Sequence, residues 1–281
     1  MMNKIRRIEA MVLRALVYIS FTITLGILLL IVGFILANGL PNLSPKMFEW
    51  TYSTENLSMM PSIINTVIVV AMSLLVAVPF GIFSAIYLNE YARKGSRFVK
   101  LVRTMTETLQ GVPSIVYGLF GYLFFVKSVV GSYSLLAGAL TLSMMVLPLI
   151  MRTTEEALNQ VSDSYREGSF ALGAGKLRTV FSVVLPAAAG GIFAGIVLSI
   201  GRMVGETAAL IYTAGAVASV PKSVTGMGST LSVHMYSLYS EGLNGTESYA
   251  VAVVLLIMVM VLNGISDFIL WRINAKQGKG K

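Results

Sequence analysis

The chain has 281 residues, 56% of them hydrophobic and 12% charged, with a mean hydropathy of +0.78 and a net charge of +8. So few charges cannot cover a soluble globule of this size, and the composition points to a lipid bilayer. Cysteine is absent, which excludes disulfides and thiolate metal sites, and a single histidine, His234, makes no metal centre alone and reads as a solvated loop residue.

Six stretches have interiors free of charged side chains: Ala15–Lys46, Asn56–Asn89, Thr108–Val126, Ser128–Met151, Thr179–Gly201 and Ser248–Ser266. A helix rises about 1.5 Å per residue and the hydrocarbon core is about 30 Å thick, so about 20 apolar residues make one crossing. Six transmembrane helices in an all-α membrane protein are predicted, forming one membrane domain over residues 1–281. Lys4, Arg6 and Arg7 precede the first stretch as they would a secretory signal. Its apolar core from Leu16 to Ala37 outruns the about 7–15 residues of such a signal, and no small-residue cleavage site closes it, so it reads as a retained helix.

The loops divide by charge. Arg93, Lys94, Arg97, Lys100 and Arg103 fall in the second loop, Arg152, Arg166, Lys176 and Arg178 in the fourth, and further basic residues, Lys276, Lys279 and Lys281 among them, at both termini. Only Lys46, Lys127 and Lys222 fall in the opposite loops. Positive charge concentrates on the cytoplasmic side, so both termini are placed in the cytoplasm, and topology accounts for the basic balance without nucleic acid. The loops over 38–61 and 222–247, rich in turn residues, are then extracytoplasmic. Pro113 and Pro148 sit in or near spans and predict kinks; VPSIVYG at 112–118 suits either a pathway lining or a packed kink.

The longest inward connection, Arg152–Arg178, leads into REGSFALGAGKLRTVFSVVLP at 166–186. Its GAGK is no phosphate loop: that pattern needs Gly six positions before the Lys and Ser or Thr after it, where Phe170 and Leu177 stand. Ser164 and Glu167 fit a capping box that starts a helix at Tyr165. Gly173 suits a C′ position, where positive φ is cheap only for glycine. A second helical run follows from Lys176, with a new membrane helix expected near Pro186. The result is a compact knob suited to docking a partner, or else an amphipathic helix lying on lipid headgroups.

Arg202 and Glu206 interrupt the apolar run 179–220. A charge near mid-bilayer costs at least about 2.5–3.5 kcal/mol unless it is paired or lines a polar cavity. At i and i+4 the two share a helix face, yet a helix pair is worth only about 0.2–0.5 kcal/mol. Either they form an ion pair that orients helices, or Arg202 offers its forked donors to a passing anion. Gly191 with Gly195, and Gly201 with Gly205, allow close helix approach, within one chain or between subunits. No HExxH, G-x-S-x-G or inward carboxylate pair suggests an intramembrane enzyme. Six spans with no visible internal repeat make a poor stand-alone secondary transporter or channel.

Glu167, Gly173, Leu185 and Pro186 stand in the spacing E-x5-G-x11-L-P, which resembles the EAA loop of type I ABC importer permeases, with Gly168 and Ser169 in place of its two alanines and Val183 where it has Ile. QGVPSIVYGLFG at 110–121, RTTEEAL at 152–158 and GRMVGETAAL at 201–210 narrow the resemblance to phosphate-specific permeases, the PstA-like subunits. That resemblance implies a coupling loop at about 152–186, with Glu167, Gly168, Ser169, Gly173, Leu185 and Pro186 docking a cytoplasmic ATPase. It implies a substrate pathway involving Arg202, Glu206, Arg152 and Glu155, although positive-inside anchoring explains Arg152 equally well. The implied partners are a homologous second permease in a heterodimer, two ATPase copies that bind ATP and Mg, and an extracytoplasmic phosphate-binding protein. This chain itself would bind no cofactor and catalyse nothing, in a prokaryotic plasma (inner) membrane. A permease for another oxyanion is the alternative.

Overall fold

The computed structural model describes residues 2–93, 95–240 and 245–276, with side chains over 9–93, 95–240 and 245–272. Lys94, Lys279 and Lys281, and the side chains of Lys4, Arg6, Arg7 and Lys276, lie outside the described residues. In chain order the helices are α1 (Met2–Gly39), α2 (Met60–Ile86), α3 (Arg97–Gln110), α4 (Ser114–Gly121), α5 (Leu135–Asn159), α6 (Asp163–Ala171), α7 (Lys176–Thr179), α8 (Leu185–Val204), α9 (Ala208–Ile211), α10 (Leu231–Ser240) and α11 (Gly245–Lys276). Short 3-10 turns at Leu40–Asn42 and Pro45–Phe48 fill the first outer loop, and no strand occurs among the described residues. Among the described residues five helical runs are long and apolar enough to cross a membrane, and six if Arg97–Gln110 and Ser114–Val130, bent by 101° from each other, count as one span.

That bent pair corrects the third expected span. The stretch 108–126 is not one helix: α3 closes at Gln110, Gly111 and Val112 form a turn, and Pro113 sits in extended backbone at φ −58°, ψ 141°. Proline donates no N–H and clashes with the preceding turn, so the chain redirects there. The apolar half of the pair starts only at Ser114 and runs through a π-helical stretch, Tyr122–Val130.

α5 occupies the centre and packs against α2, α3, α4 and α8. Between α2 and α5, the Ser73 hydroxyl donates to the Ala139 carbonyl at 3.0 Å and the Ser143 hydroxyl to the Ser73 carbonyl at 3.1 Å. Lipid supplies no hydrophobic drive between helices, so small residues and hydrogen bonds of this kind hold them together. The same logic assigns Gly191 and Gly195. A Cβ on Gly191 would stand 2.7 Å from the Ala157 Cβ, and one on Gly195 would collide with Thr153, so this pair serves packing inside the chain. Around Gly201 and Gly205 there is open space on the side-chain position, with only the Gly201 carbonyl near Gly205. α1 packs along α11 and buries none of its apolar window.

Between α8 and α10 no described helix is long enough to cross a membrane. Residues 205–230 form α9 and irregular backbone in which Thr213, Ala214, Ser229 and Thr230 are buried. Buried non-helical backbone in a membrane protein must find its hydrogen bonds in the protein. α2 supplies them: the Asn65 amide donates to the Ser219 and Ser229 carbonyls at 2.9 and 3.0 Å, and the Thr66 hydroxyl accepts the Leu231 N–H at 2.9 Å.

Candidate functional site: a coupling knob and an intramembrane groove

The knob forms, with its punctuation shifted. α6 begins at Asp163, not Tyr165, and its N-cap is Ser162, whose hydroxyl accepts the Ser164 N–H at 3.4 Å. The capping box of Ser164 with Glu167 does not form, because Ser164 already lies inside the helix, where its hydroxyl pairs with that of Ser162. Gly173 takes φ +81° as expected. Its N–H donates to Phe170 O at 2.9 Å and the Ala174 N–H donates to Ser169 O at 3.1 Å. This is the paired pattern that ends a helix on a left-handed residue. Ser169, where the resembled motif has alanine, bonds hydroxyl to hydroxyl with buried Thr179 at 2.8 Å and ties α6 to α7.

The helix after the knob does not start afresh at Pro186. It runs on from Lys176 through a π turn, Val180–Val184, into α8. A π turn widens the backbone ahead of Pro186, whose ring and missing N–H would otherwise break a regular helix. Leu185 packs partly buried beside Val184 and Ala188. Tyr165, Phe170, Leu172 and Leu177 are exposed, Leu172 at 90%. Gly168, Ser169, Gly173 and Arg178 join Tyr165 and Leu172 around a depression of about 510 Å³. Glu167 stands exposed on the same helix.

A guanidinium that the loop count treated as plain inside charge anchors this knob. Arg166 donates to Glu90 Oε1 at 2.7 Å, to Asp163 Oδ1 at 3.1 Å, and to the Val161 and Leu158 carbonyls at 2.8 and 3.0 Å. The Arg166 and Glu90 side chains are only 15% and 8% exposed. Glu90 lies in the π turn that ends the second span, so α6 is locked onto α2. Lys176 adds a cation–π contact, 5.0 Å from the Tyr91 ring centroid.

Arg152 and Glu155 are not brought together. Arg152 is half-exposed and pairs with Glu156 at 3.0 Å, while Glu155, 12% exposed, receives two hydrogen bonds from Arg103 of α3 at 3.1 and 2.9 Å. Arg103 is thus a second residue that sequence reasoning missed.

The intramembrane pair also separates. α8 ends at Val204, so Glu206 lies beyond the helix and the i, i+4 geometry with Arg202 is lost. Glu206 Oε1 accepts the Ala209 N–H at 3.1 Å, and the Glu206 carbonyl accepts the Ser232 hydroxyl at 2.6 Å. Arg202 makes no ion pair or hydrogen bond to any described residue. It lines a groove of about 610 Å³ with Leu149, Ala194, Val197, Leu198, Gly201 and Asn263. A guanidinium carries five N–H donors and no acceptor, so this one is equipped for an anion.

His234 is not solvated. It lies buried on α10, edge-to-face with Tyr52 at 5.8 Å between ring centroids, and burial holds its imidazole below the usual range despite a hydrogen bond to the Leu57 backbone. It lines an outer cleft of about 690 Å³ with Trp50 and Tyr52. Among the described residues no group of three or more His, Asp or Glu is placed to hold a metal ion.

Known proteins share this fold. The crystal structure of a bacterial ABC transporter involved in import of the acidic polysaccharide alginate superposes with a TM-score of 0.65 at 16% identity, covering 92% of this chain and 95% of that one. An inward-facing MetNI methionine ABC transporter structure gives 0.60 at 21% identity, covering 76% and 93%. These likenesses show the fold. In sequence, the chain is 33% identical to the phosphate transport system permease protein PstA of Haemophilus influenzae over 74% of each chain. It is 32% identical to the probable ABC transporter permease protein YqgI of Bacillus subtilis, over 71% of this chain and 73% of that one. A PstA homolog of Mycoplasma pneumoniae is 31% identical over 90% of this chain, which spans 39% of that longer protein. Residues 77–278 match the family of binding-protein-dependent transport system inner membrane components, and the chain belongs to that family.

Proposed function

We propose that this chain is the permease subunit of an ATP-driven phosphate importer, supplying half of a translocation pathway in a prokaryotic plasma membrane. The observation that carries the reading is Arg202, a guanidinium with no ion pair among the described residues in a groove that holds no other charged side chain, in a chain whose relatives include phosphate permeases. A second, homologous permease completes the pathway, and two ATPase copies bind ATP and Mg and seat the α6 knob through Glu167, Gly168, Ser169 and Gly173, with Leu185 and Pro186 fixing the helix behind it. An extracytoplasmic phosphate-binding protein delivers the anion. The basic end of the bundle faces the cytoplasm. Exposed apolar side chains around a Gly-terminated helix favour docking over lying on headgroups, since Leu172 projects clear of the bundle. Glu206 and Glu155 hold neighbouring backbone and side chains in place, and Arg152 anchors the span end.

The test is reconstitution. The permease pair, ATPase and binding protein co-purified into liposomes should take up radiolabelled phosphate only with ATP inside reach of the ATPase. Uptake without ATP, or a permease that never retains an ATPase, would remove the reading. The other specific reading, import of a different oxyanion, is favoured if sulfate or molybdate outcompetes phosphate at the loaded binding protein.

A further inference from the structure

We infer that Asn263 of α11 is a second ligand for the transported anion, working beside Arg202; the inference rests on the translocation reading above. Asn263 lines the same groove as Arg202, and the remaining lining is Leu149, Ala194, Val197, Leu198 and Gly201. Asn263 lies inside the charge-free stretch of α11, about 6 Å along the helix from Asp267, the first charged residue after it. An amide there without partners is unfavourable, because lipid offers it no hydrogen bond.

Two other asparagines at span ends behave differently. The Asn38 amide donates to the Phe34 carbonyl at 2.8 Å, and the Asn65 amide serves the Ser219 and Ser229 carbonyls. Asn263 makes no hydrogen bond to any described residue and is half-buried. The groove therefore holds two donor groups from two helices, a five-donor guanidinium and a two-donor amide, with no carboxylate among its lining residues. Two donor groups lining one groove that has no carboxylate of its own, with exposed Asp267 one turn further along α11, suit a multi-oxygen anion such as phosphate, whose oxygens accept from both. Arg202 supplies charge and fork; Asn263 fixes where the remaining oxygens point.

The reconstituted complex tests this through phosphate moved per ATP hydrolysed. Asn263→Leu fits an apolar groove, so assembly and ATPase stimulation by loaded binding protein should persist while the ratio falls about tenfold, the loss of one hydrogen bond to a charged group. Asn263→Asp should fall further, since a carboxylate repels the anion, and Asn263→Gln should recover part of the ratio by restoring the donor. A parental ratio in Asn263→Leu overturns the inference. So does an Asp variant no worse than Leu, or ATPase and uptake falling in parallel, which is what a structural role produces. Normal uptake in the Arg202→Met complex would instead remove the translocation reading, and this inference with it.

Discussion

Arg166 donates to two carboxylates and two backbone carbonyls at the base of the coupling knob, whereas Arg202 lies in a membrane groove and makes no hydrogen bond or ion pair to any described residue. Both are arginines on helices of an apolar chain, and their surroundings give them opposite duties. A buried charge whose every donor is used fixes geometry: it holds α6 at one angle to the second span, so a push on the knob reaches α2. A charge left unused within one chain at membrane depth needs a polar cavity, a partner subunit or a passing ligand to satisfy it. The contrast teaches that the informative property of an intramembrane charge is the inventory of its partners.

The largest effect should come from breaking the unused member. Arg202→Met should abolish phosphate uptake while complex yield holds, and Arg202→Lys should lower uptake because an ammonium lacks the planar fork. Adding Glu206→Met should restore nothing, because Glu206 caps α9 and does not neutralise Arg202. A double variant with parental uptake would make the two an ion pair after all and erase the contrast.

Removing the saturated member should act on stability. Arg166→Ala leaves Glu90 buried and unpaired, a change that costs about 3–5 kcal/mol in comparable sites. The detergent-solubilised complex should melt earlier, and Arg166→Met with Glu90→Met should melt later than Arg166→Ala alone. Equal melting of all three would show that the lock carries no weight.

A smaller effect is expected at Gly173. Any β-branched residue at φ +81° is strained, by about 1–2 kcal/mol for the left-handed conformation. Gly173→Val should weaken ATPase retention while insertion stays normal, and parental retention in a pull-down would remove the knob from coupling. Arg152 sits at the bottom of the scale. It is half-exposed with one exposed partner, so Arg152→Ala should leave melting and uptake unchanged. A clear loss of uptake would move Arg152 from the anchoring class into the class of Arg202.

Legibility in the sequence tracks the range of the force involved. Five of the six spans were legible because about 20 consecutive apolar residues have no other inexpensive environment, while the third was redirected at Pro113. The Gly173 turn was legible because positive φ is a property of one residue. Arg202 was visible as a charge in an apolar run. The capping shift from Ser164 to Ser162 was a two-residue error of register, since serines at 162 and 164 offer nearly the same local chemistry.

Tertiary structure alone decided the pairings. Arg103 meets Glu155 across 52 positions and Arg166 meets Glu90 across 76, distances at which no helical spacing operates. It also decided that α8 stops at Val204. Glu206 then leaves the helix face of Arg202 and holds α9, while Arg202 shares its groove with Asn263 of a helix far along the chain. A sequence states which residues carry charge and where the chain can turn. Which charges are satisfied depends on what folding brings within about 3 Å of each donor, and that is set by the packing of whole helices.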